Sequence, residues 1–392
     1  VYLKSEEVVA APAVAIERRE PAAEEVSQQL LASGLHIFYY GWYGTPERDG
    51  KWLHWDHPVL PHWTKEVNAK YPEIGTKHKP PHDIGSNYYP LLGPYSSSDP
   101  NVIKAHLDQI SGAGIGVLVY SWWGRGTGDA NGAATDERII ERVITECRRT
   151  GVKIAFHLEP YEGRTAQSVK ADAEFLMTKY GQEPALYRLP AKYGGKTVFY
   201  VYDSYHINPH DWEKVLKHKG TRESVRGELG DAIFLGLWVE EQHGRDLFNA
   251  GFDGFYTYFA SKGFTYGSTY RSWDKMQTFA QAHNMIFVPS IGPGYIDTAI
   301  RPWNAQNTRD RLGGRYFEEA WKSAERLNPE ILSLTSFNEW HEGTQFEPIK
   351  KWPGAMDYGE KEGSFYLETV HRQVEQCTSN LRPRWCGPEK GK

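Results

Sequence analysis

The chain has 392 residues, a formal net charge of −5, 40% hydrophobic residues and 14% aromatic residues. With no basic surplus and no Lys/Arg run it is not built for nucleic acid, and no apolar run reaches the ~18 residues that span a bilayer. Three cysteines are too few for a disulfide scaffold, which leaves 14 Trp and 24 Tyr to be accounted for; their flat faces and polar edges suit an aromatic core or sugar rings.

Residues 1–30 are rich in Ala, Glu, Val and Pro and contain no Trp. They read as a flexible leader or stalk, with a helix near Glu24–Leu31. A first residue of Val rather than Met points to a missing upstream segment, an anchor or a signal. From Leu35 onward apolar runs recur: His36–Tyr43, Gly116–Trp122, Lys153–Leu158, Thr197–Tyr202, Ala232–Val239, Gly254–Phe259, Met285–Ser290 and Ile331–Phe337. Near-continuous apolarity marks strands buried on both faces, as in a parallel sheet. Helical patterns alternate with them at Asp99–Ala113, Asp136–Arg149, Thr165–Tyr180, Pro209–Lys217, Glu241–Asn249, Tyr270–Asn284, Arg315–Leu327 and Ser364–Gln376. The first carries an Asp cap followed by Pro. Eight such pairs predict an α/β fold, a (β/α)8 TIM barrel forming one catalytic domain over 31–376, with 377–392 as a C-terminal tail. No G-x-G-x-x-G follows the first run, which argues against a dinucleotide fold.

The segment Thr45–Ser98 is too long for an ordinary βα connection and carries Trp52, Trp55, Trp63, Tyr88, Tyr89 and Tyr95; it is expected over the barrel mouth. Within it His54, His57 and His62 fit no standard metal-ligand spacing and read as part of a packed loop. Gly124–Gly132 is Gly-rich but lacks a P-loop Lys, so it reads as a loop. Cys147 lies in a helical pattern and reads as a buried thiol. Cys377 and Cys386 flank a short loop and can pair in an oxidising compartment, or remain free in a reducing one.

Barrel active sites lie at the C-terminal ends of the strands. There the runs give Trp42 and Tyr43; Trp122 and Trp123; His157, Glu159 and Tyr161; Tyr202, Asp203 and Tyr205; Glu240; Tyr256 and Tyr258; Tyr295, Asp297 and Arg301; and Asn338, Glu339, Trp340, His341 and Glu342. Two carboxylates three residues apart, Glu339 and Glu342, can face one cavity if the chain turns between them. Such a pair supplies the acid and base that glycoside hydrolysis needs.

The motifs SFNEWHEGTQ (336–345), GPGYIDTAIRPWN (292–304), GFDGFYTYFA (251–260), FHLEPYEGR (156–164) and HIFYYGWYG (36–44) together resemble glycoside hydrolase family 99, the endo-α-1,2-mannosidases and endo-mannanases. The resemblance runs from about Leu35 to about Gln376. It implies a retaining hydrolase without an enzyme nucleophile, in which the substrate 2-hydroxyl attacks the anomeric carbon and forms a 1,2-anhydro sugar. In that scheme Glu339 deprotonates the hydroxyl, and Glu342 protonates the departing oxygen and then activates water. Glu159, Tyr43, Trp123, His157, Asp203, Tyr295, Arg301, Asn338, Trp340 and one of Tyr256 or Tyr258 are the expected substrate contacts. The family implies no metal and no cofactor. Trp123 occupies a slot where animal members carry Tyr and bacterial members Trp, which favours plain mannan over a glucose-capped substrate. The implied partner is an α-mannose oligosaccharide or N-glycan. A leader before a luminal barrel suits a Golgi type II membrane enzyme whose anchor is not in this chain; Trp123 suits a bacterial secreted or periplasmic one. An exo-acting glycosidase and a catalytically silent glycan-binding protein are the competing readings.

Overall fold

The computed structural model describes residues 31–129, 136–217, 219–378 and 382–387. The leader and its expected helix, the end of the Gly124–Gly132 loop and residues 388–392 lie outside them. Among the described residues the strand segments are β1 (Ala32–Tyr39), β2 (Ile115–Trp122), β3 (Lys153–Leu158), β4 (Val198–Val201), β5 (Ile233–Leu237), β6 (Gly254–Tyr256), β7 (Ile286–Val288), β8 (Ser290–Ile291) and β9 (Leu332–Leu334). The helices are α1 (Pro46–Asp49), α2 (Lys65–Asn68), α3 (Pro100–Gly112), α4 (Glu137–Thr150), α5 (Ala166–Tyr180), α6 (Pro209–Leu216), α7 (His243–Ala250), α8 (Trp273–Ala282), α9 (Arg315–Glu325) and α10 (Phe365–Glu375).

All strand pairs are parallel, in the order β7-β6-β5-β4-β3-β2-β1-β9-β8. The two ends of that order, β7 and β8, are consecutive in the chain, separated by Pro289 alone. They are one stave: its first half pairs with β6 and its second with β9, and the sheet closes into the eight-stave barrel. Pro289 has no N–H for a ladder bond, which accounts for the interruption. The first stave begins at Ala32, four residues before the apolar run, because Ala32 pairs with Ile115 ahead of a register shift.

Helix starts follow their caps. Asp99 accepts from the Asn101 N–H and Asp136 from the Arg138 N–H, Asn208 accepts from the His210 N–H, and Thr165 and Ser168 form a reciprocal capping box. Side chains alternate along each stave. On β2 Val117 and Val119 fill the barrel, while Leu118 and Tyr120 face the helices. The barrel interior is aromatic and partly polar: Phe38, Tyr200, Tyr256 and His157 pack on one another, and the Tyr200 hydroxyl lies 2.8 Å from Nδ1 of His36. Burial lowers the His36 pKa to about 3, so the ring is neutral. Much of the aromatic excess is therefore core.

Beyond α10 the chain returns to the start of β1. Cys377 and Cys386 are joined in a disulfide, and Trp385 is buried against Trp321, with ring centroids 5.4 Å apart. Cys147 is a buried free thiol, its pKa pushed up by burial. No helix among the described residues is long and apolar enough to cross a membrane.

Candidate active site

At the C-terminal ends of the staves a cavity of about 300 Å³ is lined by Tyr40, Trp42, Trp123, Glu159, Tyr202, Tyr258, Arg301, Glu339, His341 and Glu342. His54, His57 and Leu60 from the 45–98 segment complete one wall, and Asp129 and Ile300 flank it. The long segment is ordered by short backbone bridges, Gly44 to Leu53 and Pro58 to Lys77, and by buried Trp55, which stacks on Tyr43 at 4.2 Å and donates to the Tyr95 carbonyl.

The turn after β9 sets the carboxylates. The chain leaves β9 through a cis Thr335–Ser336 peptide. Asn338 then reaches across the barrel seam: its Oδ1 accepts the Tyr40 N–H and its Nδ2 donates to the Tyr40 carbonyl, both at 2.8 Å. The Tyr43 hydroxyl donates to the Asn338 carbonyl at 2.9 Å. Between these anchors the Glu339 N–H donates to Ser336 Oγ, and Glu339 Oε1 accepts the His341 N–H at 3.0 Å. Gly343 follows Glu342 at φ 61°, and a Cβ there would lie 2.6 Å from the Ile296 carbonyl oxygen, so glycine is needed. Arg311 clamps the turn from below. Its guanidinium donates to the carbonyls of Gly343 and Gln345, and its charge sits among the rings of Tyr88, Tyr358 and Tyr366 at 4.6–4.8 Å.

The electrostatics raise both carboxyls. Burial raises the Glu339 carboxyl well above the usual range, and Glu342 adds to it. Glu342 is raised to about 7 by burial; Asp297 and Glu159 push it further up and Arg301 pulls it down. Both carboxyls are thus pushed toward their protonated forms, so the pair can hold a transferable proton near neutral pH. Arg301 is itself fixed by Asp297, at 3.2 Å, and Asp297 also accepts from Tyr295 and Asn304 at 2.9 Å. The Ile296 N–H donates to the Glu342 carbonyl and ties this loop to the carboxylate turn.

Glu159 accepts from Ser121 Oγ at 2.7 Å and lies 3.0 Å from His157 Nδ1. The other ring nitrogen of His157 meets the Tyr256 hydroxyl at 2.7 Å. Tyr258, at φ 49°, swings into the cavity, where its hydroxyl bonds that of Tyr40. Of the two tyrosines that the sequence leaves open, Tyr258 therefore lines the cavity and Tyr256 supports it from below.

Glu339, Glu342, Glu159, Trp123, Arg301 and Tyr258 thus come together. Tyr43, His157, Tyr256, Asn338 and Trp340, expected as substrate contacts, are buried outside the cavity wall. Their polar atoms are spent on the protein, as when Trp340 Nε1 donates to buried Glu347 at 2.9 Å. Asp203 and Tyr295 also stand outside the wall; the Asp203 carbonyl accepts from Arg164, and the Tyr295 hydroxyl serves Asp297. Tyr40, Trp42, His54, His57, Tyr202 and His341 line the cavity and were not among the expected contacts. His54 stacks on Trp42 at 4.1 Å and pairs with Asp129 at 2.7 Å. His57 is lowered to about 4 and His341 well below its ordinary value, both by burial. Neutral His341 donates from Nδ1 to the Gly85 carbonyl and leaves a buried Nε2 lone pair without a protein partner, an acceptor suited to a sugar hydroxyl.

Residues 30–379 match the family model described as Glycosyl hydrolase family 99. The chain is 45% identical over 364 residues to the glycoprotein endo-alpha-1,2-mannosidase of Rattus norvegicus, covering 91% of this chain and 78% of that relative. It is 46% identical over 348 residues to the enzyme of that name from Xenopus laevis, covering 87% and 76%. Among solved structures, the GH99 endo-alpha-mannosidase from Bacteroides thetaiotaomicron superposes with a TM-score of 0.80 at 39% identity, covering 88% of this chain and 98% of that one. With the carboxylate turn, the closed barrel and these relatives in agreement, the chain belongs to glycosyl hydrolase family 99 and is a glycoside hydrolase.

Proposed function

We propose that the protein is a retaining endo-α-1,2-mannosidase that cuts internal α-1,2-mannosidic bonds of N-glycans or mannans through a 1,2-anhydro sugar. The observation that carries this reading is the Glu339–Glu342 pair in one cavity, both raised in pKa, with Arg301 beside them. Glu339, the deeper carboxylate, takes the proton of the substrate 2-hydroxyl as O2 attacks C1. The bond from C1 to the leaving oxygen breaks, and Glu342, the more accessible of the two, gives that oxygen its proton. Water then enters, loses a proton to Glu342 and opens the anhydro ring at C1, while Glu339 returns the proton to O2. Two inversions at C1 give net retention. Glu159, Tyr258 and His341 offer acceptors and donors for the hydroxyls of the reacting ring. Trp123, at the cavity wall, favours a mannose cap over a glucose cap. The named animal relatives and the Cys377–Cys386 disulfide fit the secretory pathway, and we place the enzyme in the Golgi lumen.

The test is product analysis on an α-1,2-linked mannose oligosaccharide labelled at its reducing end. The expected first products are a released disaccharide or larger fragment in the α-configuration. Release of mannose alone would make the enzyme exo-acting. A 2-fluoro donor should give neither turnover nor an adduct, and a glycosyl adduct on Glu339 by intact mass would refute the anhydro route.

A further inference from the structure

Trp63 is 81% exposed. A single exposed tryptophan carries no message, but three features set this one apart. It is built: its ring lies on that of His62, centroids 3.7 Å apart, and meets Trp303 edge-on at 5.5 Å. It is held: the His62 N–H donates to Asn68 Oδ1, Asn68 Nδ2 donates back to the His62 carbonyl at 2.9 Å, and the Thr64 N–H donates to His62 Nδ1 at 3.0 Å. It is continuous with the cavity: Trp303 Nε1 donates to the Leu60 carbonyl and the Leu60 N–H to the Ile300 carbonyl, and Leu60, Ile300 and Arg301 are cavity wall. The mouth thus continues outward as a fixed aromatic shelf.

The cavity, at about 300 Å³, lies at the low end of the ~300–1,000 Å³ usual for ligand sites. A branched glycan cannot be contained in it, and its remaining residues must run over the rim. We propose that Trp63, buttressed by His62 and Trp303, is a distal carbohydrate platform that stacks on the C–H face of a pyranose ring beyond those held in the cavity. The exposed indole face of Trp63 is apolar and suits the C–H face of a sugar ring. This reading rests on the proposed glycan substrate.

The experiment compares Trp63→Ala and Trp63→Phe with the native enzyme on two α-1,2-mannosides: a short one that ends inside the cavity and an extended high-mannose oligosaccharide. The ratio of kcat/KM, long over short, should fall roughly three- to tenfold in Trp63→Ala, through KM, because one aromatic face supplies about that much. Trp63→Phe should recover part of the loss. Thermal melts check that the variants fold. A ratio within twofold of native in Trp63→Ala would overturn the platform, as would a native dimer that dissociates in that variant, since a second copy would then be the occupant. If the native enzyme cleaves neither substrate, the endo-mannosidase reading has failed. The platform is then still tested by calorimetry of the extended oligosaccharide on the native and Trp63→Ala proteins: weaker binding in the variant supports it, and equal binding overturns it.

Discussion

Replacing Arg301 with Gln should move the whole pH profile to higher pH. Glu342 stands near pH 7 because burial, Asp297 and Glu159 raise it against the downward pull of Arg301; Glu339 is lowered by the same cation. A neighbouring opposite charge shifts a carboxyl by about 1–3 units. Arg301 sits at the low end, because its side chain is 31% exposed and its charge is shared with Asp297. About one unit, or ~1.4 kcal/mol, is therefore expected. In the proposed mechanism Glu342 must be protonated to release the leaving group, so activity falls as pH rises through its pKa. The alkaline limb should move from near pH 7 to about pH 8. At pH 8 the active fraction would rise from about 10% to about half, although the plateau falls because a group lining the cavity has gone. The acid limb, set by Glu339, should move in the same direction. The assay is kcat/KM from pH 4 to pH 9 for native, Arg301→Gln and Arg301→Lys, the last restoring most of the charge and the native limb. An alkaline limb in Arg301→Gln that stays in place or moves down, in a folded protein, would refute this account of the acid.

Glu342→Gln should stabilise the fold at alkaline pH. The native carboxyl rises from 4.5 to about 7 on folding, so the folded protein keeps a proton that the unfolded chain releases between those values. Native stability therefore falls across that window, and the loss is complete above it. The amide escapes this, so its melting temperature should exceed that of the native protein at pH 8, by the equivalent of about 1–3 kcal/mol, and match it at pH 4. Trp123→Tyr should shift the kcat/KM ratio toward a glucose-capped over a mannose-capped oligosaccharide, by about 1–2 kcal/mol at most; an unchanged ratio would reduce Trp123 to packing.

The staves and helices were legible because buried parallel strands are apolar throughout and helix starts carry caps; Asp99, Asp136 and Thr165 each mark a start to within a residue. Ala32–Leu35 was not, since two of its four residues, Ser33 and Gly34, look like a turn. The break at Pro289 was hidden inside an apolar run. In the site, Glu159, Trp123 and the Glu339/Glu342 pair could be read from their place just beyond strand ends. Asn338 and Trp340 looked equally exposed by that rule, but the turn sends those two into the protein and Glu339, His341 and Glu342 to the cavity. His54 and His57 come from a segment with no periodicity, where long-range contacts such as Trp55 on Tyr43 set the path. His341 was in plain view within the motif, and its place in the cavity wall and its buried, unpaired nitrogen are visible only in the structure.

The seam between the first and last staves has a consequence for how the enzyme comes into being. The Asn338 side chain that pins the carboxylate turn pairs with the Tyr40 backbone 298 positions earlier, and β1 finds its second neighbour only when Leu332–Leu334 exists. At about 5–20 residues per second, a growing chain carries β1 with one edge open for about 15–60 s. An open edge flanked by Leu35 and Ile37 invites wrong pairings until the last stave arrives. Hydrolytic power cannot precede closure, because the turn that bears both carboxylates has no anchor until the ends of the barrel meet.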